Sequence, residues 1–523
     1  MTKLNWEQLF FDVRIRDLNR DLNNHNNFSS NIVNIQNEFD RDYARIIYSS
    51  SVRRLQDKTQ VFPLQQNDFI RTRLTHSLEV SSLSESMGWQ IAHILHTKNI
   101  EGFDDLKKLK RLPSLMKVSG LLHDLGNPPF GHFGEDVIKN WFSNFFNEDS
   151  KKNNKLNYSI LKSEIKENTI TEEEKCDFKY FDGNAQGIRI LSRLQLLNDE
   201  FGANLTLATL ATLMKYPWSS SNDKCMDENI GKKKFGYMCS DKKINKFILE
   251  NMMNNKEEVR HPATFILEAA DDIAYIMADL EDSVKKRLIT WNDIYSDQFK
   301  NVIENSISEL DKRFQKIGRF NYKGRYETFS NTINNLREDI PDYDLICSQN
   351  LKSFLQSIMI YVVIDRFTDE VYDKIMSGNF KKEKEKEKEK FDDELLNIEP
   401  LKNIVKHIND LIFKKAFSSA EVLELELVGD TVITKLLDLF IPAILTIPGK
   451  NSTKTKEEKL VRLISDNFLY VQCLPKLSND EEWRLRIKEL TDYEKIQIVV
   501  DYISGMTDSY AVSLHKKLMN GRM

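Results

Sequence analysis

The stretch Pro113–Glu135, PSLMKVSGLLHDLGNPPFGHFGE, decides how this chain is read. Pro113 and Ser114 mark a helix start, and Leu115, Val118 and Leu122 recur at helical spacing as its buried stripe. Gly126-Asn127-Pro128-Pro129 must end that helix, because proline cannot donate to the helical ladder and clashes with the preceding turn. His123 and Asp124 therefore occupy the last turn of a buried helix, directly before a rigid loop. An imidazole and a carboxylate left there without partners cost on the order of several kcal/mol. Mutual pairing is the simplest remedy, but adjacent helix positions do not face each other. A metal ion satisfies both.

Two more segments carry the same kind of tension. In RTRLTHSLEVSSLSESMGWQIAHIL (71–95), His76 shares the inward face with Val80, Leu83 and Met87. Taken alone it reads as a core histidine. In HPATFILEAADDIAYIMADLEDSV (261–284) the helix is apolar almost all round, which marks it as central. Asp271 and Asp272 point in different directions from such a helix, and at least one must meet a cation. Two histidines and two carboxylates suit a divalent ion of intermediate hardness, Mn²⁺, Fe²⁺ or Ni²⁺, with Mg²⁺ tolerated. Zinc is less favoured, since its structural sites usually contain cysteine.

The rest of the chain sets the frame. Its 523 residues hold 75 Lys+Arg against 80 Asp+Glu, a net charge of -5, which gives no reason to expect a wholesale nucleic-acid or membrane binder. Only 18 Gly and 11 Pro, with abundant helix formers and no run of alternating strands or solenoid period, predict an all-α protein. Cys176, Cys225, Cys239, Cys347 and Cys473 lie far apart with no CxxC pair, arguing against a disulfide scaffold and for a reducing cytoplasm. The N-terminal residues are charged from the start and show no signal-peptide core, and Leu436–Ile447, broken by Asp438 and Pro442, reads as protein core. Residues 1–50 read as Asn-rich and polar until a helix near Phe39–Ile47. Residues 148–175 read as an exposed polar excursion with at most marginal helix, and the Lys/Glu run 381–390 cannot bury anything.

Seven words in order narrow the reading: RRLQDKTQVFPLQQNDFIRTRLTHSLEV (53–80), GLLHDLGNPPFGHFGE (120–135), FDGNAQGIR (181–189), KYPW (215–218), KKKFGY (232–237), EAADDIAY (268–275) and ISGMTDSYA (503–511). The spaced His…His-Asp…Asp set resembles the HD-domain metal-dependent phosphohydrolases. The surrounding words resemble the long-chain bacterial deoxyguanosinetriphosphate triphosphohydrolases within them. The resemblance implies an HD-domain helical core with additional C-terminal helices. Residues 1–295 would form the catalytic core with the 148–175 insertion. Residues 296–523 would form an accessory region, interrupted by 381–390, that completes the substrate pocket and makes oligomer contacts.

By that resemblance the reaction is water attack at the α-phosphorus of dGTP, giving deoxyguanosine and intact triphosphate. The metal ligands would be His76, His123, Asp124 and Asp271, holding Mg²⁺ or Mn²⁺, with Fe²⁺ or Ni²⁺ as further candidates. His132 and Glu135, spaced i, i+3, would be the catalytic pair. Arg73, one helical turn before His76, should point at the same cavity; Lys215, Tyr216 and Lys234 match phosphate-holding positions, with the register of the 232–234 lysines open, and Asn184 matches a substrate-side position. Gln60, Tyr275 and Asp279 are candidates on the nucleoside side. Implied partners are a homo-oligomer, commonly a hexamer, and single-stranded DNA as a regulator. Competing readings are a broad-specificity dNTPase switched on by nucleotide effectors and an HD-fold scaffold or single-stranded-DNA binder.

Overall fold

Side-chain caps set many of the helix starts. Asn37, Thr72, Thr171 and Thr491 each accept the backbone N–H three residues on and donate their own N–H to that residue's side chain, so orphan donors are satisfied at both positions. The computed structural model describes residues 3–18, 36–60, 62, 70–147, 158, 170–195, 199–222, 234–378, 394–446, 454–474, 486–487 and 489–520. Among them no β-strand forms, only isolated bridges, and the fold is all-α.

The helices that position the site are α1 (Arg73–Thr97), α2 (Arg111–Leu122), α3 (Gly131–Phe146), α4 (Glu172–Lys179) and α5 (Gly183–Arg189). They continue with α6 (Leu207–Leu213), α7 (Pro262–Lys285), α8 (Tyr343–Asp365), α9 (Ala420–Thr446), α10 (Asp492–Ser504) and α11 (Asp508–Asn520). Helices α1 and α2 lie in close contact because small residues line the seam. A Cβ on Gly120 would fall 2.6 Å from Ser84 Oγ, and one on Gly88 would fall 2.9 Å from the Pro113 Cα. Any larger side chain would push the helices apart, and with them His76 and His123. Central α7 packs on α1, α2, α6 and α8, which is why it is apolar on nearly every face. Helix α9 covers α3 and α10, with Leu436, Leu437, Phe440 and Ile441 buried beside Pro442. No helix of the described residues is long and apolar enough to cross a membrane. Buried apolar residues on both sides of residue 295 belong to one cluster.

Three local expectations need correction. Helix α2 begins at Arg111, so Pro113 is its third residue, still in the first turn where a missing N–H costs little. The polar excursion ends sooner than its composition suggests. Thr171 and Glu174 cap α4, whose Phe178 ring lies 5.1 Å from Phe142 on α3, and Tyr158 and Ile170 are buried. The first residues are also not merely polar, because Trp6, Leu9 and Phe10 are core and Trp6 meets Phe103 at 5.4 Å. The Asn-rich centre of residues 1–50, most of 148–175 and the run 381–390 lie outside the described residues.

His261 ties this N-terminal segment to α7 and carries a pH prediction. It is 1 % exposed, accepts the Ala263 N–H at Nδ1 as the helix cap, and donates from Nε2 to the Leu9 carbonyl. Both nitrogens are used only in the neutral ring, and burial lowers its pKa to about 4. The unfolded chain therefore binds the extra proton first, and stability falls as pH drops from about 6.5 to about 4. The expected loss is about 3 kcal/mol across that window. Urea midpoints measured at pH 7 and pH 4.5 should differ less in His261→Gln than in the parent.

Candidate active site

Helices α1, α2 and α7 bring four predicted residues to one point. Asp271 Oδ1 lies 3.0 Å from His76 Nε2 and 3.2 Å from His123 Nε2, and Asp124 Oδ1 lies 3.7 Å from His123 Nε2. Ligand atoms of His76, His123 and Asp124 all fall within 4.8 Å of one another, the spacing of a set that shares one ion. The His123 ring is set by its Nδ1–H, which donates to the Gly120 carbonyl at 2.8 Å and turns Nε2 toward the carboxylates. That Nε2 is buried and makes no aligned hydrogen bond. The adjacent Asp272 faces away, toward Lys215 and Glu268, and burial raises its pKa well above the usual range.

The electrostatics of the donor set suit a divalent cation. Burial opposes a charge on His123, yet the Asp271 and Asp124 carboxylates lift its pKa to about 9. Asp124 is itself buried, but Arg73, His123 and His76 hold it down at about 2. Two ionised carboxylates therefore converge where two imidazoles present nitrogen, and a divalent metal fits that set better than a proton on one ring. Arg73 N–H donates to Asp124 Oδ2 at 2.7 Å, and Asn127 Nδ2 donates to Oδ1 at 2.6 Å, so both oxygens of Asp124 are oriented.

Next along the chain, Phe130 at φ 63° and Gly131 at φ 61° turn the loop sharply into α3. His132 Nδ1 then donates to Glu135 Oε2 at 3.2 Å. Glu135 Oε1 accepts the Gly183 N–H at 2.8 Å, and its pKa is about 2, because His132, Lys139 and Lys234 outweigh its burial. The ionised carboxylate can only accept, which places an N–H on His132 Nδ1, and the His132 side chain is 68 % exposed.

These groups share a cavity of about 320 Å³, whose lining includes His123, Asp124, Asp271, His132, Asn184, Lys215, Lys234 and Tyr275. Lys215 is paired with Glu268 at 2.7 Å, and Tyr216 lies behind it with its ring 5.8 Å from the Lys215 ammonium and 6.0 Å from that of Lys234. Asn184 donates to Asp182 at the start of α5. Arg73 and His76 stand behind the lining. Asp279, 1 % exposed, is one turn deeper on α7 and interacts with Tyr275, whose pKa burial and Asp279 raise. Gln60 is half-buried beside Thr59, which bridges to Thr72, with its Oε1 buried and unpartnered.

Sequence reading missed several supports. Glu268, on the cavity wall, holds Lys215 and is held in turn by Arg260. Asp508, the Asp of the ISGMTDSYA word, accepts from Phe130 N–H at 3.0 Å and from Thr59 N–H at 3.0 Å. It thus clamps the left-handed turn to the segment that precedes Arg73. A buried acid inside a quoted word was the available signal.

Comparison with known proteins agrees with this geometry. The HD domain family matches residues 73–213, and the phosphohydrolase-associated domain matches residues 448–517. A deoxyguanosinetriphosphate triphosphohydrolase-like protein of Listeria monocytogenes is 35% identical, covering 98% of this chain and 99% of its own. A like-named protein of Listeria innocua is 34% identical over the same share. The deoxyguanosinetriphosphate triphosphohydrolase of Serratia proteamaculans is 31% identical over 93% of this chain and 94% of its own. With likeness sustained from end to end, and with three helices gathering the His, His-Asp and Asp of the HD set, the chain belongs to the deoxyguanosinetriphosphate triphosphohydrolase family of HD-domain phosphohydrolases.

Proposed function

We propose that this protein hydrolyses deoxynucleoside triphosphates, dGTP foremost, at the α-phosphorus, releasing the deoxynucleoside and intact tripolyphosphate. One observation carries the reading. A single cavity is walled by the His123–Asp124–Asp271 cluster, by His132 with its Glu135 anchor, and by Lys215 and Lys234. A divalent ion, Mg²⁺ or Mn²⁺, held by His76, His123, Asp124 and Asp271 would polarise the phosphate and lower the pKa of a bound water.

The chain's own groups do the rest. Glu135 keeps the His132 proton on Nδ1, so Nε2 takes a proton from the attacking water and returns it to the departing 5′-oxygen. Lys215 and Lys234 balance charge on the triphosphate, Lys215 exchanging its hold on Glu268 for phosphate oxygens. Arg73 keeps the Asp124 carboxylate in place. Tyr275 fills the space beside C2′ that a ribose hydroxyl needs. Asp279 would accept from guanine N1–H and the 2-amino group once the Tyr275 ring shifts; adenine offers no such donor pair. The same reading includes assembly of several copies, to which Leu423 and Leu427, exposed one turn apart on α9, contribute apolar surface.

Product analysis tests the reaction. Each dNTP is incubated with the protein plus Mg²⁺ or Mn²⁺ and the phosphate products are separated. Tripolyphosphate is expected, with dGTP turned over fastest; orthophosphate or pyrophosphate would refute the assignment. His132→Ala should cut turnover by about 10²–10⁴-fold and keep its metal content.

A further inference from the structure

A second cavity, of about 210 Å³, shares the His123–Asn127 turn as a wall with the first. Leu125 lines this one, while His123, Asp124 and Asn127 line the other. Arg54 stands at the exposed rim and donates to the Gly505 carbonyl at 3.3 Å; no carboxylate among the described residues pairs with it. Lys58, 3 % exposed, forms part of the floor and donates to the Asn127 carbonyl at 2.5 Å and to the Ser504 carbonyl at 2.9 Å.

The acid on the lining, Asp501, is already committed, because Arg189 grips it at 2.7, 2.8 and 3.0 Å. Gln195 accepts from Ser51 through Oε1, which leaves its amide N–H groups as donors at the edge. Arg54, the Lys58 amine and neutral donors thus surround a space whose one acid among the described lining residues is neutralised from behind. Such a surface selects an anion. Burial and the nearby Arg73 and Arg54 lower the Lys58 pKa to about 7 against the pull of Asp508, so an anion in the cavity would hold the proton on this amine.

A route to the first cavity is present in the same contacts. Lys58 holds the Asn127 carbonyl, and the Asn127 side chain holds Asp124 Oδ1. We propose that this second cavity is a binding site for a small phosphate-bearing anion, with Arg54 and Lys58 as its counter-charges and the Lys58–Asn127–Asp124 chain as its link to the substrate cavity. An anion drawn toward Lys58 shifts the loop that orients Asp124. Occupancy is then felt at the metal cluster without contact with the substrate.

Direct binding separates this inference from the hydrolytic reading, since it needs no turnover. Titration calorimetry on the full chain would use orthophosphate, tripolyphosphate and deoxyadenosine monophosphate as separate probes, with Lys215→Ala, whose substrate cavity is impaired, and the double variant Lys215→Ala/Arg54→Glu. At least one probe is expected to bind Lys215→Ala and to bind the double variant at least tenfold more weakly. Preference for tripolyphosphate would mark a product of the reaction as the ligand, and preference for the monophosphate would mark a nucleotide; both support the site. Failure of all three probes to bind Lys215→Ala, or equal binding to Lys215→Ala with and without Arg54→Glu, overturns it. Ser50→Trp, which fills the cavity from its rim without removing a charge, should weaken binding as Arg54→Glu does, and unchanged binding there also overturns the proposal.

Discussion

Asp271→Ala is expected to empty the metal cluster and lower turnover by about 10³-fold or more, the largest effect on activity of any single change in this protein. Asp271 is the hub of the cluster, since its Oδ1 is within 3.2 Å of both imidazoles, one on α1 and one on α2. Its own ionisation is secured against burial by those rings, which hold its pKa well below the usual range. With Asp271 gone, His76 and His123 lose the carboxylate that faces both, and the remaining donors no longer surround an ion. The fold should survive, because α7 is held by apolar neighbours on nearly every face and the Asp271 side chain is about one-third exposed, so water can reach the imidazoles it leaves. Metal content measured by mass spectrometry and turnover with dGTP should fall together while the thermal midpoint stays near that of the parent. A variant that retains one metal per chain would show that Asp271 is not a ligand.

Asp501→Ala should have the largest effect on stability, a loss of about 3–5 kcal/mol. Arg189 on α5 is 0 % exposed, and three of its contacts go to the Asp501 carboxylate on α10, which Gln186 and Gln497 also supply with amide donors. Removing the acid leaves a guanidinium deep in the core with Asp241 at 3.7 Å as its nearest remaining acid, and Asp241 is already bonded to Arg193. The cost comes from the stranded charge rather than from the lost contact. Arg189→Met combined with Asp501→Leu should therefore recover most of the stability lost in Asp501→Ala. Urea midpoints compare the three proteins, and a double variant no better than the single one would refute the charge argument.

How far the chain could be read without coordinates depended on the range of each interaction. The buried stripes of α1, α2 and α7 are periodic and local, so three of the helices that carry the cluster could be read from spacing alone. The His123–Asp124 doublet was also legible, because Gly126–Pro129 must stop the helix just beyond it. Choosing Asp271 over Asp272 needed the resemblance, since both lie on one buried helix and only their neighbours, His76 and His123 for one and Lys215 for the other, tell them apart. The core role of Trp6 and Phe10 was hidden by the polar stretch that follows them. The capped start of α4 was hidden by the surrounding charge, although Thr171 and Glu174 spell a capping box.

Residue types and their periodicity determined that this chain is all-helical, that histidines and acids are trapped in apolar helices, and that such groups call for a cation. Tertiary structure decided which acid meets which imidazole, that Lys215 rests on Glu268, and that Asp508 and Lys58 tie the chain's last helices to the turn after His123. Helical pattern acts over a few residues and leaves its mark in order along the chain. A hydrogen bond between Asp508 and Phe130 joins residues far apart in that order, and α9, packed against α3, α10 and α11 alike, brings them within reach.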